Sequence, residues 1–269
     1  MAHEQRLVPE PLSRVLLRDY SPDYTANLNK DSADALEDEL EDRMKDLQEM
    51  LYAQGKYALL IVLQAMDAGG KDSTIKKVFD NVNPQGVNVT SFKVPTQEEL
   101  ARDFLWRIHN RVPRKGMIGI FNRSHYEDVL VVRINNLVPE SVWKQRYDQI
   151  NQFEKLLSDT GTRILKFYLH ISKEEQRSRF QDRLDRPDKH WKFSKGDLAV
   201  REQWDDYMSA YEDVLTYCNT EYAPWHIVPA NRKWYRDYII TKTIVDTLKQ
   251  MDLSYPAPEE GLSEIIIPD

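Results

Sequence analysis

The sequence predicts an α/β protein of three layers, a parallel sheet between two sets of helices, and three observations carry that expectation. Residues 57–64 form a nearly continuous apolar run without alternation, as a parallel strand covered on both faces requires. From there to Gln250, strand-like and helix-like patterns alternate, and connections of a dozen or more residues favour parallel pairing with right-handed crossovers. A chain of 269 residues, 41% hydrophobic, is long enough to bury one substantial core.

Each element has a local reason. Asp31 or Ser32 caps a first helix whose Leu36, Leu40, Met44, Leu47 and Leu51 recur at steps of four and three, so that stripe should pack inward. After the apolar strand and a glycine turn, residues 71–82 read as helix. Asn83-Pro84 ends it, because a residue before proline avoids the helical region. A strand follows at 87–94, then a helix opened by Thr96 with Glu99 as its capping-box partner, then a strand at 116–121. A long amphipathic helix places Pro139 in its first turn, buries Val142, Trp143, Ile150, Phe153 and Leu157, and stops at Gly161. Residues 163–171 read as strand, Ser172 and Glu175 open another helix, and one more helix covers 197–218. A short strand at 225–229 and a helix to Gln250 complete the series. Residues 1–30 stand apart as an N-terminal extension, and residues 252–269 as an acidic tail.

Composition removes several classes. A charged fraction of 30% and a mean hydropathy of -0.64 exclude collagen-like and membrane proteins, and six tryptophans argue against disorder. The longest apolar run, 57–63, is far below the roughly 20 residues of a membrane-spanning helix. The start lacks the apolar core of a secretory signal. A single cysteine, Cys218, excludes an internal disulfide and fits a cytoplasmic location. The net charge of -7 is unevenly spread: residues 31–49 hold nine acids and two bases, whereas 163–195 hold ten Lys or Arg against five acids. A basic segment therefore sits inside an acidic protein.

The strongest local signal is Gln64-Ala65-Met66-Asp67-Ala68-Gly69-Gly70-Lys71-Asp72-Ser73, lying between strand and helix. A phosphate loop needs small residues there, so that backbone N–H groups converge on phosphate oxygens at a helix N-terminus. Gly69, Gly70 and Lys71 meet that need. Ala65 replaces the usual first glycine and Asp72 the usual magnesium-binding hydroxyl. The competing reading is an ordinary strand-to-helix turn with a solvated lysine. An acid inside a phosphate cradle is costly unless it holds a cation, so Asp67 points to Mg²⁺; an Asx turn is its alternative. The next candidate is Asn122-Arg123-Ser124-His125-Tyr126-Glu127-Asp128, where Glu127 would complete the metal site and otherwise serves as a first-turn helix acid. His125, His170 and His190 lack zinc-binding spacing, and no serine-nucleophile elbow occurs. Trp204, Tyr207 and Tyr211, three and four apart, read as a core stripe rather than a base-binding platform.

These two motifs, with Ser91-Phe92-Lys93-Val94-Pro95-Thr96, Gln176-Arg177-Ser178-Arg179-Phe180-Gln181-Asp182-Arg183 and Trp191-Lys192-Phe193-Ser194, occur in an order that resembles the polyphosphate kinase 2 family over roughly residues 30–250. The resemblance implies a thymidylate-kinase-like P-loop kinase domain at 31–251 with a helical lid at about 176–200. It implies reversible, direct in-line phosphoryl transfer between inorganic polyphosphate and adenine or guanine nucleotides, dependent on Mg²⁺, with Mn²⁺ as a substitute. Many members carry Asp where this chain has Asn122 and Asn where it has Glu127. The arrangement here looks like the subgroup that uses both nucleoside mono- and diphosphates.

Asp67, Lys71, Glu127, Arg133 and Arg183 are then the expected catalytic groups, with Asp67 and Glu127 on the metal. Ala68, Gly69, Gly70, Asp72, Ser73, Asn122 and Arg123 are expected on nucleotide phosphates, and Lys71, Arg179, Lys189 and Lys192 on polyphosphate. The resemblance also implies a homodimer or homotetramer, with the helix after Pro139 able to serve as interface. Aromatic residues interleaved with the bases of 163–195 would also suit nucleic acid, but the phosphate loop and the acidic average count against that partner, and the short apolar runs count against a membrane. An ATP-dependent nucleoside monophosphate kinase and a non-enzymatic nucleotide switch or scaffold are the competing readings.

Overall fold

The computed structural model describes residues 6–268. Five strands form one sheet in the order β2-β3-β1-β4-β5, all parallel: β1 Ala58–Gln64, β2 Val87–Ser91, β3 Ile118–Asn122, β4 Thr162–His170 and β5 Trp225–Pro229. β1 is central and buried along its whole length, as its unalternating apolar run requires. The chain goes to one side of β1 for β2 and β3, then to the other for β4 and β5. That reversal opens a crevice at the carboxyl ends of β1 and β3, the usual place for a ligand in an open α/β sheet. Register fixes the crevice walls, with Leu63 opposite Asn122 on one side and Phe167 on the other.

Helices α1 (Lys30–Gln54), α2 (Lys71–Val78) and α10 (Lys233–Lys249) pack on one another. A second group consists of α5 (Val131–Ile134), α6 (Glu140–Asp159) and α9 (Trp204–Tyr217). With the inner strands buried on both faces, the two groups form the outer layers. Short helices α3 (Gln97–Leu100) and α4 (Trp106–His109) lie between β2 and β3, and α7 (Lys173–Asp185) and α8 (Gly196–Glu202) between β4 and α9. No helix among the described residues is long and apolar enough to cross a membrane.

The caps of α3 and α7 fall where expected, whereas the cap of α1 and the bounds of several elements shift. Thr96 and Glu99 form the capping box of α3, and the Ser172 hydroxyl accepts from the Glu175 N–H at α7. α1 starts earlier than expected: Asn29 is its cap and Ser32 the reciprocal partner. Its buried stripe is Met44, Leu47 and Leu51 with Ala33, Glu37 and Gln48, whereas Leu36 is exposed, because α10 packs across a rotated face. Likewise Val142 is exposed on α6. The helix expected at 71–82 ends at Val78, the strand expected at 87–94 ends at Ser91, and 197–218 splits at Gln203 into α8 and α9. Trp204, Tyr207 and Tyr211 are buried, as a core stripe should be.

The N-terminal segment wraps onto the sheet. The Ile227 N–H donates to Leu7 O at 2.8 Å and Leu12 N–H to Asn219 O at 2.8 Å, while Val15 and Leu17 enter the core. The exposed edge of β5 is thereby covered, which blocks strand-to-strand association there.

Burial also makes the fold acid-sensitive. His170, buried at the end of β4, has its pKa driven down to about 4 by desolvation, against a backbone hydrogen bond at Tyr20. The fold keeps the ring neutral while the unfolded chain takes up a proton near 6.5. Its contribution is therefore complete above pH 6.5 and is lost as pH falls towards 4, roughly 3 kcal/mol across that window. Thermal unfolding should show the midpoint falling between pH 6.5 and 4, and less steeply in His170→Phe. Parallel profiles for the two proteins would assign the acid transition to other groups.

Candidate active site

The loop between β1 and α2 sits over the crevice. Gly70 caps α2 with φ 106°, and Ala68 takes φ 59°, a left-handed conformation that a non-glycine residue adopts only when its surroundings hold it. At Gly69 a Cβ would lie 2.5 Å from the Ala65 Cβ and 2.8 Å from Met66 O, so glycine alone fits. Lys71 reaches back across the loop and donates from Nζ to Ala65 O at 2.9 Å. Burial, then the Arg123 charge, lowers its pKa, with Asp67, Glu127 and Asp72 opposing.

β3 supplies the other wall. Asn122 Nδ2 donates to Asp72 Oδ1 at 2.5 Å, which explains how the loop tolerates Asp72: a neutral amide holds that carboxylate. Arg123, with φ 61°, turns back so that Nη2 pairs with Asp67 Oδ1 at 3.1 Å. Burial works against the Arg123 charge, but Glu127 and Asp67 outweigh it and hold its pKa above the ordinary guanidinium value.

The following turn, His125–Asp128, is anchored from behind. His125 and Tyr126 are fully buried, and both donate to Glu154 Oε1 of α6, at 3.1 and 2.7 Å. Lys166 Nζ of β4 donates to Glu154 Oε2 at 2.6 Å, Tyr126 OH at 2.8 Å and Cys218 O at 2.7 Å, so all three of its protons are used. Despite burial, which by itself would raise it, the Glu154 pKa is held below the usual carboxylate value by Lys166 and His125. His125 is thus an interior anchor, and its neighbour Glu127 is left half-buried, within electrostatic reach of both Lys71 and Arg123.

A cleft of about 530 Å³ joins residues 67–73 of the loop, 91–94 after β2, Asn122 and Arg123 after β3, and Arg183, Trp191, Lys192 and Asp197 from the lid. Five cationic side chains (Lys71, Lys93, Arg123, Arg183, Lys192) line it against three carboxylates (Asp67, Asp72, Asp197). Arg183 is held over the cleft by Lys192 O at 3.0 Å and Asp197 at 3.6 Å. A site of this charge recognises a polyanion.

Four expected residues are absent from this lining: Glu127, which belongs to the His125–Asp128 turn, and Arg133, Lys189 and Arg179. Arg133 pairs with Asp213 at 2.6 Å and stacks on Trp143, lining a separate hollow beside Pro139. Lys189 is tied to Asp182 at 2.5 Å within the lid. Arg179 spends its guanidinium on the backbone: Nη1 donates to Ala68 O at 2.9 Å and Gly69 O at 3.1 Å, Nη2 to Ala230 O at 2.5 Å, and Nε to Glu175 at 2.7 Å. Charge and spacing alone cannot separate a ligand-facing arginine from one that fastens carbonyls. Conversely, Lys93, Trp191 and Asp197 line the cleft without having been singled out individually. For Lys93 the available signal was its place in the Ser91–Thr96 motif; for Asp197 there was none, because its role depends on the lid folding back to Arg183.

Among the described residues, no cluster of three or more His, Cys, Asp and Glu side chains is built to hold a metal alone. The charges of Asp67 and Glu127 both act on Lys71 and Arg123, and one or two carboxylates are what Mg²⁺ takes from a protein when substrate phosphates complete its shell.

A parallel sheet of this order, a glycine-bearing loop at a helix N-terminus and a cationic lid define a phosphotransferase with the P-loop kinase fold. The chain belongs to the polyphosphate kinase 2 family, whose sequence model matches residues 27–256. It is 55% identical over 260 residues to the AMP/ADP-polyphosphate phosphotransferase of Meiothermus ruber, covering 96% of this chain and 97% of that one. It is 47% identical over 227 residues to the ADP-polyphosphate phosphotransferase of Rhodopseudomonas palustris, covering 80% and 78%. The crystal structure of polyphosphate kinase 2 from Arthrobacter aurescens TC1 superposes with a TM-score of 0.93 at 42% identity, covering 96% of this chain and 93% of that one.

Proposed function

We propose that the protein transfers phosphoryl groups from inorganic polyphosphate to nucleoside mono- and diphosphates, making ADP from AMP and ATP from ADP. The observation that carries this reading is the cleft itself, where the phosphate loop, Arg123 and the lid cations Arg183 and Lys192 converge on one space. One deep cation would suffice for a single phosphate; cations spread along a cleft suit a chain of them.

The nucleotide's terminal phosphate attacks the end of the polyphosphate in line, so the enzyme need not supply a nucleophile. Lys71 and Arg183 neutralise the migrating group, whose charge spreads over three oxygens in the transition state. Asp67 and Glu127 are the residues that would hold Mg²⁺, which supplies charge neutralisation between the two substrates when bound. Val94 and Trp191, which line the cleft and are 90% and 79% exposed, offer apolar surface to a nucleobase. Because one phosphoanhydride replaces another, concentrations set the direction.

Purified protein given ADP, Mg²⁺ and long-chain polyphosphate should form ATP, and with AMP it should form ADP, both in strict proportion to added polyphosphate. Absence of polyphosphate-dependent product across pH and metal would leave an ATP-dependent kinase or a nucleotide switch in its place. Glu127→Asn should raise the Mg²⁺ concentration needed for half-maximal rate or shift the preference between AMP and ADP; an unchanged profile would reduce Glu127 to a helix-turn acid.

A further inference from the structure

The base of α7 grips the phosphate loop along consecutive carbonyls. Gln176, fully buried, donates from Nε2 to Asp67 O at 2.9 Å, and Arg179 Nη1 takes the next two, Ala68 O and Gly69 O. Gln176 is itself oriented by Arg201 Nη1 of α8, which donates to its Oε1 at 3.0 Å. Arg179 also bonds Ala230 O, fastening the loop to the segment after β5.

Peptide planarity gives this grip a consequence. Across a trans peptide the C=O of one residue and the N–H of the next point in opposite directions. Holding the carbonyls of residues 67–69 against α7 therefore turns the N–H groups of residues 68–70 away from it. The Gly69 N–H returns to Met66 O at 3.0 Å, while those of Ala68 and Gly70 have no backbone acceptor among the described residues. Carbonyls turned the other way would present negative dipoles to a phosphate.

We propose that Gln176 and Arg179 are positioning residues that set the polarity of the phosphate loop, and that Arg179 acts through the loop without touching polyphosphate. They also hold Ala68 in its left-handed conformation, which an unsupported alanine would leave. Arg183 lies one helical turn further along α7, about 6 Å, so the same helix sets the distance between the loop and the lid cation. Lid closure must then hinge beyond the Arg179 turn, and the first half of α7 belongs to the phosphate site. The inference deepens the phosphoryl-transfer reading and rests on it for its kinetic arm.

Arg179→Lys separates the roles, because it keeps the charge and loses the fork that spans two loop carbonyls and Ala230 O. We expect kcat to fall by about 100-fold, the scale of a misplaced site. Both KM values should stay within about threefold, and the loss should be equal with tripolyphosphate and long-chain polyphosphate. Amide hydrogen exchange at residues 65–72 should quicken relative to the sheet. That exchange arm, with tripolyphosphate as probe, needs no turnover and survives a failure of the proposed reaction. Retention of kcat within about threefold, a loss that grows with chain length, or unchanged exchange in the loop would overturn the proposal. If Arg179→Lys does not fold, Gln176→Leu, which frees only Asp67 O, should quicken exchange in the same segment; no change there would count equally against it.

Discussion

Lys71→Ala should lower polyphosphate-dependent turnover by about 10³-fold or more while leaving the fold intact. The magnitude follows from the reaction: phosphoryl transfer leaves little covalent chemistry to the protein, so a lysine that neutralises the migrating group contributes most of its effect in the transition state. The structural cost is smaller. Lys71 gives up one hydrogen bond, to Ala65 O, worth about 1 kcal/mol, and the desolvation that lowers its pKa disappears with it. Asp67→Asn should fall comparably, because it removes a proposed metal ligand and the partner of Arg123 together. Steady-state kinetics beside a thermal melt decide both: turnover within tenfold of the parent in either variant would remove that residue from the mechanism.

The second large effect is on stability. Lys166→Met strands Glu154 as a buried carboxylate beside His125 and Tyr126, and breaking a fully desolvated pair from one side costs about 3–5 kcal/mol. Glu154→Leu strands the ammonium in the same way. The double variant removes both charges and should recover much of the loss, since well-packed apolar groups often replace a buried pair at little cost. Denaturant titration of the four proteins gives the coupling. A loss below about 1 kcal/mol in Lys166→Met would show that the network does not brace the turn. Because that turn carries Glu127, the double variant should also show an altered Mg²⁺ requirement even where its stability is restored.

The contrast between these two residues shows how far a linear reading reaches. Lys71 was legible because its neighbours in space are its neighbours in the chain: a strand, small residues, a lysine and a helix in register. Lys166 was not. It sits mid-strand in an apolar segment, and only the packing of α6 against β4 shows that Glu154 and Tyr126 meet it. The same limit applies to Arg179 and Arg183. Both read as lid arginines one turn apart, yet one fastens the carbonyls of the loop and the other lines the cleft.

Local order alone was enough to establish the parallel α/β class, the phosphate loop and the family, because caps, apolar runs and loop chemistry act over a few residues. The starts and burial faces of α1 and α6, the inward turn of His125 and the division of the basic segment between cleft and scaffold depended on the folded chain. A side chain's burial and its partner are set by which element packs against it, and those elements come from distant parts of the sequence. For the cations in particular, the same charge that would attract a polyanion from solvent is satisfied by a carbonyl or carboxylate wherever the fold brings one within hydrogen-bonding distance.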